Sequence, residues 1–206
     1  REHVWSKSHG FPNESDTAYT DLHHLRPTDE SVNSSRGTKD FDDGGSAHSE
    51  ATDCNYDSDS WEPRDAVKGD VARMMFYMEV RYDPGLHSNG TSYDLELVDY
   101  TGTSTSSDNF GKLSTLITWH ANDPVDDFES DRNDSIYAYQ GNRNPFIDFP
   151  EFVNSIWGTT PLSPSNLSMS SHSENSLTLS WTDNATNETG YKVYKDESLL
   201  STLNAG

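Results

Sequence analysis

The clearest pattern of apolar and polar positions lies in EPRDAVKGDVARMMFYMEVRYD. Here Val67, Val71, Met74 or Met75, and Met78 recur at helical spacing, Pro63 suits a first turn and Pro84 follows the end. KLSTLITWHA is apolar on one face and predicts a second helix; DPVDDFESDRNDSIYAYQ predicts a third after its Asp-Pro signal, and PEFVNSIWG a short helix or turn. Nearer the start the elements shorten. EHVW reads as a brief strand, HGFPNESD as a loop, TDLHHLRP as a second strand stopped at Pro27, and TDESVNSS as a helix start with Thr28 or Asp29 as N-cap. RGTKDFDDGGSAHSEATDCNYDSDS has no periodicity and reads as a long surface excursion, and GTSTSSDNFG as a polar loop.

Beyond TTPLSPSN the period changes. NLSMSSHSENSLTLSWTD and TGYKVYKDESLLSTLN alternate apolar and polar residues, the pattern of half-buried antiparallel strands. Leu177, Leu179 and Trp181 share one face and are expected to meet Tyr191, Val193 and Leu199. The expected organisation is a domain over 1–158, a linker over 159–164 and a partial domain over 165–206. The fold class is α+β: a mainly helical body followed by a partial all-β sandwich.

Composition changes the picture through charge. The 206 residues carry 14 Lys and Arg against 35 Asp and Glu, a formal net charge of −21. Such a field repels nucleic acid and anionic membranes, so composition alone votes against a DNA-binding protein unless a bound cation or a local basic patch holds the phosphate. Cys54 is the single cysteine, which excludes an intrachain disulfide. No run approaches the roughly 18 apolar residues of a membrane span, so no membrane insertion is expected. The first residue is Arg and the last lies inside an apparent domain, so both ends are expected to be cut and an absent targeting signal is uninformative.

The chemistry concentrates in the first 37 residues. Glu2 and His3 stand together, and TDLHHLRPTDESVNSSRG adds His23, His24, Asn33 and Arg36. An imidazole accepts a proton near neutral pH. Carboxylate and carboxamide oxygens suit magnesium, manganese or calcium, and arginine's fork matches phosphate. These are the parts of a metal-assisted phosphodiester hydrolase. By composition and spacing alone, a surface cluster without chemistry is the reading that stands ahead of it.

The blocks REHVW, SDTAYTDLHHLRPTDESVNSSRGTKDF, WEPRDAVKGDVARMMFYM, FGKLSTLITWHANDPVDDFE, RNDSIYAYQGNRNPFID and PEFV together resemble the endonuclease I family of bacterial secreted or periplasmic nucleases, of the His-Me finger (ββα-metal) group. The resemblance runs from Arg1 to about Gly158. It implies a ββα-metal motif and cleavage of DNA, and also RNA, with little sequence preference, leaving 5′-phosphate ends. It assigns His3 as general base and Glu2 and Asn33 as ligands of one divalent cation, magnesium first, with manganese or calcium as alternatives. Arg36 falls near the bound phosphate, as clamp or structural ion pair, and Arg143 in QGNRNPF is expected either to touch substrate or to fix Asn142 and Asn144. The region of His23 and His24 is expected to hold the His3 tautomer, through a backbone carbonyl or another group. The loop between the two short strands lacks the insertion with an arginine found in some relatives, so a phosphate contact supplied there is missing.

Other residues read more plainly. His9, His48, His87 and His172 are expected at the solvated surface and His120 in helix packing, while Arg64, Lys68 and Arg73 are either a DNA-facing strip or ordinary ion-pair partners. The tail resembles the first strands of a fibronectin type III domain with Trp181 as its core tryptophan. No stable protein partner is inferred. The competing reading is a calcium-binding extracellular adhesion module without catalysis.

Overall fold

Glu2–His3 forms a two-residue strand, β1, and the chain returns through a helical turn, α1 (Thr17–Thr20), and a single 3-10 turn at Leu22–His24 to reach β2 (Leu25–Arg26). β1 and β2 pair antiparallel, Glu2 opposite Arg26 and His3 opposite Leu25, and the Val4 N–H donates to the His24 carbonyl at 2.9 Å. The expected strand TDLHHLRP is therefore mostly turn. Asp21 caps the 3-10 turn by accepting from the His23 N–H, which diverts the chain before it can extend. Pro27 ends β2, and Asp29 caps α2 (Glu30–Arg36) by accepting from the Ser31 N–H at 2.9 Å. Gly37 closes α2 with φ +58°, where a side chain is disfavoured.

The computed structural model describes residues 1–86, 92–103, 107–158, 164–170, 176–184, 190–195 and 198–204. His87, His172 and expected linker positions 159–163 lie outside the described residues. The chain divides into two units, Arg1–Ile156 and Trp157–Gly206.

The excursion after α2 is a sheet, not a structureless loop. β3 (Asp40–Phe41), β4 (Ser46–Ala47), β5 (Asn55–Tyr56) and β6 (Ser60–Glu62) stand in the order β3-β6-β5-β4, with β3 and β6 parallel. Strands of two or three residues are too short to display a period of two. Asp57 also helps turn β5 into β6, accepting from the Ser60 N–H at 2.8 Å.

α3 (Lys68–Arg81) follows and forms the core of the first unit; Ala72, Met75, Phe76 and Met78 have no exposed surface. Full burial of each larger side chain is worth about 1.5–3 kcal/mol. Next come β7 (Gly85–Leu86), β8 (Ser92–Tyr93), β9 (Glu96–Val98) and β10 (Asn109–Gly111). β10 runs parallel to β9, where the sequence suggested only polar loop. The body is thus mixed, its helices accompanied by short strands that the sequence pattern did not show. α4 (Leu113–Asn122), α5 (Asp127–Gln140), α6 (Pro145–Asp148) and α7 (Phe152–Ile156) complete it.

Two expected surface histidines are inside. His9 is 2 % exposed, its ring nitrogens lying 2.9 Å from the Asn109 carbonyl and 3.2 Å from the Thr38 carbonyl, with the Phe110 ring tilted against it. His48 is half-buried against Tyr56 and Trp61, its Nδ1 accepting from the Glu50 and Ala51 N–H groups and its Nε2 donating to Ser35 on α2. His120 packs between Phe76, Arg73 and the Pro150 carbonyl, as expected of a helix-packing residue. Arg73 forms a buried bidentate pair with Glu129, and Lys68 pairs with Glu62, Asp65 and Asp43, so both are ion-pair partners.

In the second unit, β11 (Ser165–Ser170) pairs antiparallel with β12 (Thr178–Thr182), and β13 (Gly190–Lys195) with β14 (Ser198–Asn204). Trp181 and Tyr191 meet at 5.2 Å between ring centroids, whereas Leu177 and Leu199 are each 52 % exposed. Two two-stranded ladders are formed among the described residues. The fibronectin type III likeness remains a proposal.

Candidate active site

Successive strand residues face opposite sides, and β1 uses that rule to divide Glu2 from His3. The His3 side chain enters a cleft of about 310 Å3 shared with Asn33, Lys7 and Arg1. Its Nε2 lies 2.9 Å from the Tyr19 carbonyl oxygen, and its ring packs on Tyr19 at 4.6 Å and His24 at 5.4 Å. A carbonyl only accepts, so Nε2 carries the proton and Nδ1 keeps its lone pair. Burial lowers the His3 pKa, the Tyr19 hydrogen bond opposes this, and the charges of Arg1 and Lys7 push it down further. A neutral imidazole with a free Nδ1 can take a proton from water.

The group that holds this tautomer is the Tyr19 carbonyl, a main-chain atom with no signature in the sequence. His24 serves beside it as packing: it is fully buried, its Nε2 donates to the Ala18 carbonyl at 2.8 Å, and burial holds its pKa down to about 4. His23, also fully buried, packs at a tilt against Tyr77 and faces the Asn142 carbonyl at 3.2 Å. Both fix the turn between the strands. Asp21 anchors the same turn, accepting from Tyr77, Tyr82, Gln140 and the His23 N–H. Burial raises the Asp21 pKa, but these donors outweigh it and keep the carboxylate ionised more readily than usual. Arg132 on α5 donates to the Leu22 and Leu25 carbonyls.

Arg36 takes the structural half of its expectation. Its side chain is only 3 % exposed, and it donates to the His3 carbonyl at 3.2 Å and the Val4 carbonyl at 2.5 Å. Its guanidinium also lies over Phe41 at 4.9 Å and Phe110 at 5.5 Å. It bolts α2 under β1. Arg143 is similarly engaged, bidentate to Asp148 at 2.7 Å and to Asp134 at 2.6 Å. These carboxylates raise its pKa. Asn142 donates to the Tyr77 hydroxyl, and Asn144 is tied to Asn133 and the Arg73 carbonyl. The exposed cations beside His3 are instead Lys7 and Arg1, both 5.4 Å from the Tyr19 ring centroid. Sequence reading passed over both; the signal was basic residues flanking Glu2 and His3.

Residues 1–151 match the family model described as Endonuclease I. The chain belongs to the endonuclease I family. Among relatives, an extracellular ribonuclease of Bacillus amyloliquefaciens is 57% identical over 159 residues, 76% of this chain and 53% of that protein. An extracellular ribonuclease of Bacillus subtilis (strain 168) is 56% identical over 158 residues, again 76% and 53%. An extracellular deoxyribonuclease of Aeromonas hydrophila is 28% identical over 133 residues, 62% and 49%. The chain spans about half the length of these relatives.

An endonuclease I member with this donor pair implies a divalent cation. Among the described residues no three His, Cys, Asp or Glu side chains gather as a metal site, so the candidate pair is one carboxylate and one carboxamide. Among the described residues neither the Glu2 carboxylate nor the Asn33 carboxamide is engaged in a hydrogen bond; Glu2 Oε1 forms an ion pair with Arg36 Nε at 3.6 Å, longer than a charge-assisted hydrogen bond of about 2.7–2.9 Å. A carboxylate and a carboxamide oxygen free of such hydrogen bonds are the donor types taken by a cation that keeps most of its own waters. Glu2 and Asn33 border different cavities, joined at Arg36, which lines both.

Proposed function

We propose that this chain is a secreted, divalent-metal-dependent endonuclease that hydrolyses phosphodiester bonds of RNA and DNA with little sequence preference. Family membership supports a nuclease. The relatives, two extracellular ribonucleases and an extracellular deoxyribonuclease, support an extracellular site of action and both substrates. The observation that carries the reading is the His3 imidazole, with Nε2 fixed by the Tyr19 carbonyl and Nδ1 left free, in one cleft with Asn33 and two exposed cations.

In the mechanism this supports, the phosphate enters the His3 cleft against Lys7 and Arg1. His3 Nδ1 takes a proton from the attacking water, and water adds to phosphorus opposite the 3′ oxygen, which leaves to give 5′-phosphate and 3′-hydroxyl ends. Glu2 and Asn33 would hold the cation, magnesium in this reading, which supplies charge stabilisation at the phosphate and leaving oxygen when bound. Arg36 fixes the distance between β1 and α2, and so between the two oxygen donors. The net charge of −21 is reconciled with an anionic substrate by confining attraction to this cleft. The second unit is, in this reading, the beginning of a fibronectin type III module that binds or spaces further modules.

Digestion of plasmid DNA and of RNA by wild type and His3→Ala, with EDTA, magnesium, manganese or calcium, tests the proposal. Metal-dependent cleavage lost in the variant supports it. Equal cleavage by a folded His3→Ala protein sinks it.

A further inference from the structure

Asn33 stands on a short support. α2 has seven residues, and helices shorter than about 12 residues do not hold themselves in water, so its place is set by what grips it. Arg36 grips it from the β1 side. Each helical residue advances by about 100°, which puts Ser31 and Ser35 on one face, a turn apart, and turns Asn33 about 200° away from both. Apolar packing beside α2 is open: a cavity of about 470 Å3 is bordered by Val32 of α2 and by Trp61, Val67 and Val71.

Two side chains from the stretch between β4 and β5 reach the Ser31 and Ser35 face. His48 Nε2 lies 3.0 Å from Ser35 Oγ, and Glu50 Oε2 lies 2.6 Å from Ser31 Oγ. Ser31 Oγ is also 2.7 Å from Asp29 Oδ1, and a hydroxyl has one proton to give, so the Glu50 contact is shared and the His48 contact is the firmer. Its direction is fixed. Nδ1 accepts from the N–H groups of Glu50 at 3.2 Å and Ala51 at 3.0 Å, so Nδ1 holds the lone pair and Nε2 holds the proton donated to Ser35. Tyr56 and Trp61 enclose the ring, with centroids 5.3 and 5.2 Å away. One imidazole thus closes its own loop with one nitrogen and reaches the helix with the other.

We propose that His48 is a positioning residue for Asn33: through Ser35 it holds α2 where the Asn33 carboxamide can meet the cation. The inference rests on the nuclease reading, in which Asn33 is a ligand, and adds to it the outer support of the helix. Without that support α2 would be held by its Arg36 end alone and would swing toward the cavity, drawing Asn33 off its mark. Cation affinity then falls. Turnover at saturating cation does not, because His3 and Lys7 stand outside the support.

The test is a titration of the 15N-labelled full chain with magnesium alone, following the Asn33 side-chain amide resonance. In Ser35→Ala, which deletes only the accepting hydroxyl, the magnesium concentration for half the shift should rise about 10-fold, the low end for residues that orient metal ligands. His48→Asn should match it, since its shorter amide cannot reach Ser35, whereas His48→Gln keeps a donor near the Nε2 position and should stay near wild type. Cleavage rates against magnesium should show the same displacement with kcat at saturation unchanged. Ser35→Ala introduces the best helix former and carries the test if a His48 variant fails to fold. A wild-type shift that Ser35→Ala leaves in place overturns the inference alone; if His48→Asn still displaces it, the ring serves only its own loop. An Asn33 resonance blind to magnesium in the wild type overturns the reading of Asn33 as a ligand, and this inference with it.

Discussion

The Nε2 of His3 donates to the carbonyl oxygen of Tyr19 across 2.9 Å, from the end of β1 to the helical turn α1. That bond decides which nitrogen is left to work. Replacing His3 with Ala should lower turnover about 10²- to 10⁴-fold, the usual worth of a positioned base. Circular dichroism should show the fold retained, because His3 is only half-buried. Single-turnover cleavage of a fluorescent oligonucleotide measures the loss.

Asn33→Ala removes a neutral oxygen donor without disturbing any hydrogen bond of its side chain. Activity should fall on the order of 10³-fold if the donor helps hold a cation worth several kcal/mol in the transition state. Asn33→Asp should recover most of it, since it restores a hard oxygen. Magnesium titrations of the rate for both variants check this.

Lys7→Gln should raise KM and leave kcat nearly unchanged. One phosphate-facing charge fewer should reduce the slope of log(kcat/KM) against log[salt] by about 0.7–0.9. An unchanged slope would remove Lys7 from the substrate path.

His24 makes stability depend on pH in a stated direction. Its folded pKa, about 4, lies below the ordinary 6.5, so the neutral form is the folded form. The stabilisation is fully present above pH 6.5 and is lost as pH falls from 6.5 through 4. Across that window the contribution is on the order of 3 kcal/mol, at about 1.4 kcal/mol per pH unit. Urea denaturation at a series of pH values should show this slope, and His24→Phe should flatten it.

Glu129→Ala strands the Arg73 guanidinium, which has no exposed surface. Breaking a buried pair of this kind costs about 3–5 kcal/mol. Chemical denaturation should report a loss of that size, while Lys68→Ala, at a partly exposed ion pair, should cost much less.

Much of the arrangement is legible in the residues. The long helices α3, α4 and α5 announce themselves by period and by Asp, Pro and Gly punctuation, and the strand-turn-strand-helix order of the first 37 residues follows from Pro27 and the Asp29 cap. What escapes is non-local or main-chain. β3 pairs with β6 across some twenty positions, and neither strand is long enough to show alternation. The acceptor that fixes His3 is a carbonyl, which every residue possesses. Arg36 reads by type as either a phosphate clamp or a structural partner, and its burial against Phe41 and Phe110 shows the structural contact. His9 likewise lies in a polar stretch, and nothing local signals that Asn109 and Thr38 will close over it.

The bolt has a mechanical consequence. One turn of α2 separates Asn33 from Arg36, and Arg36 is pinned to the carbonyls of residues 3 and 4, so the spacing of the proposed catalytic groups is set by stiff backbone. A stiff jaw does not adapt to its workpiece. In the proposed nuclease accommodation falls to the polynucleotide, and cut sites should follow how easily a strand bends, with pliable steps severed early and rigid tracts late.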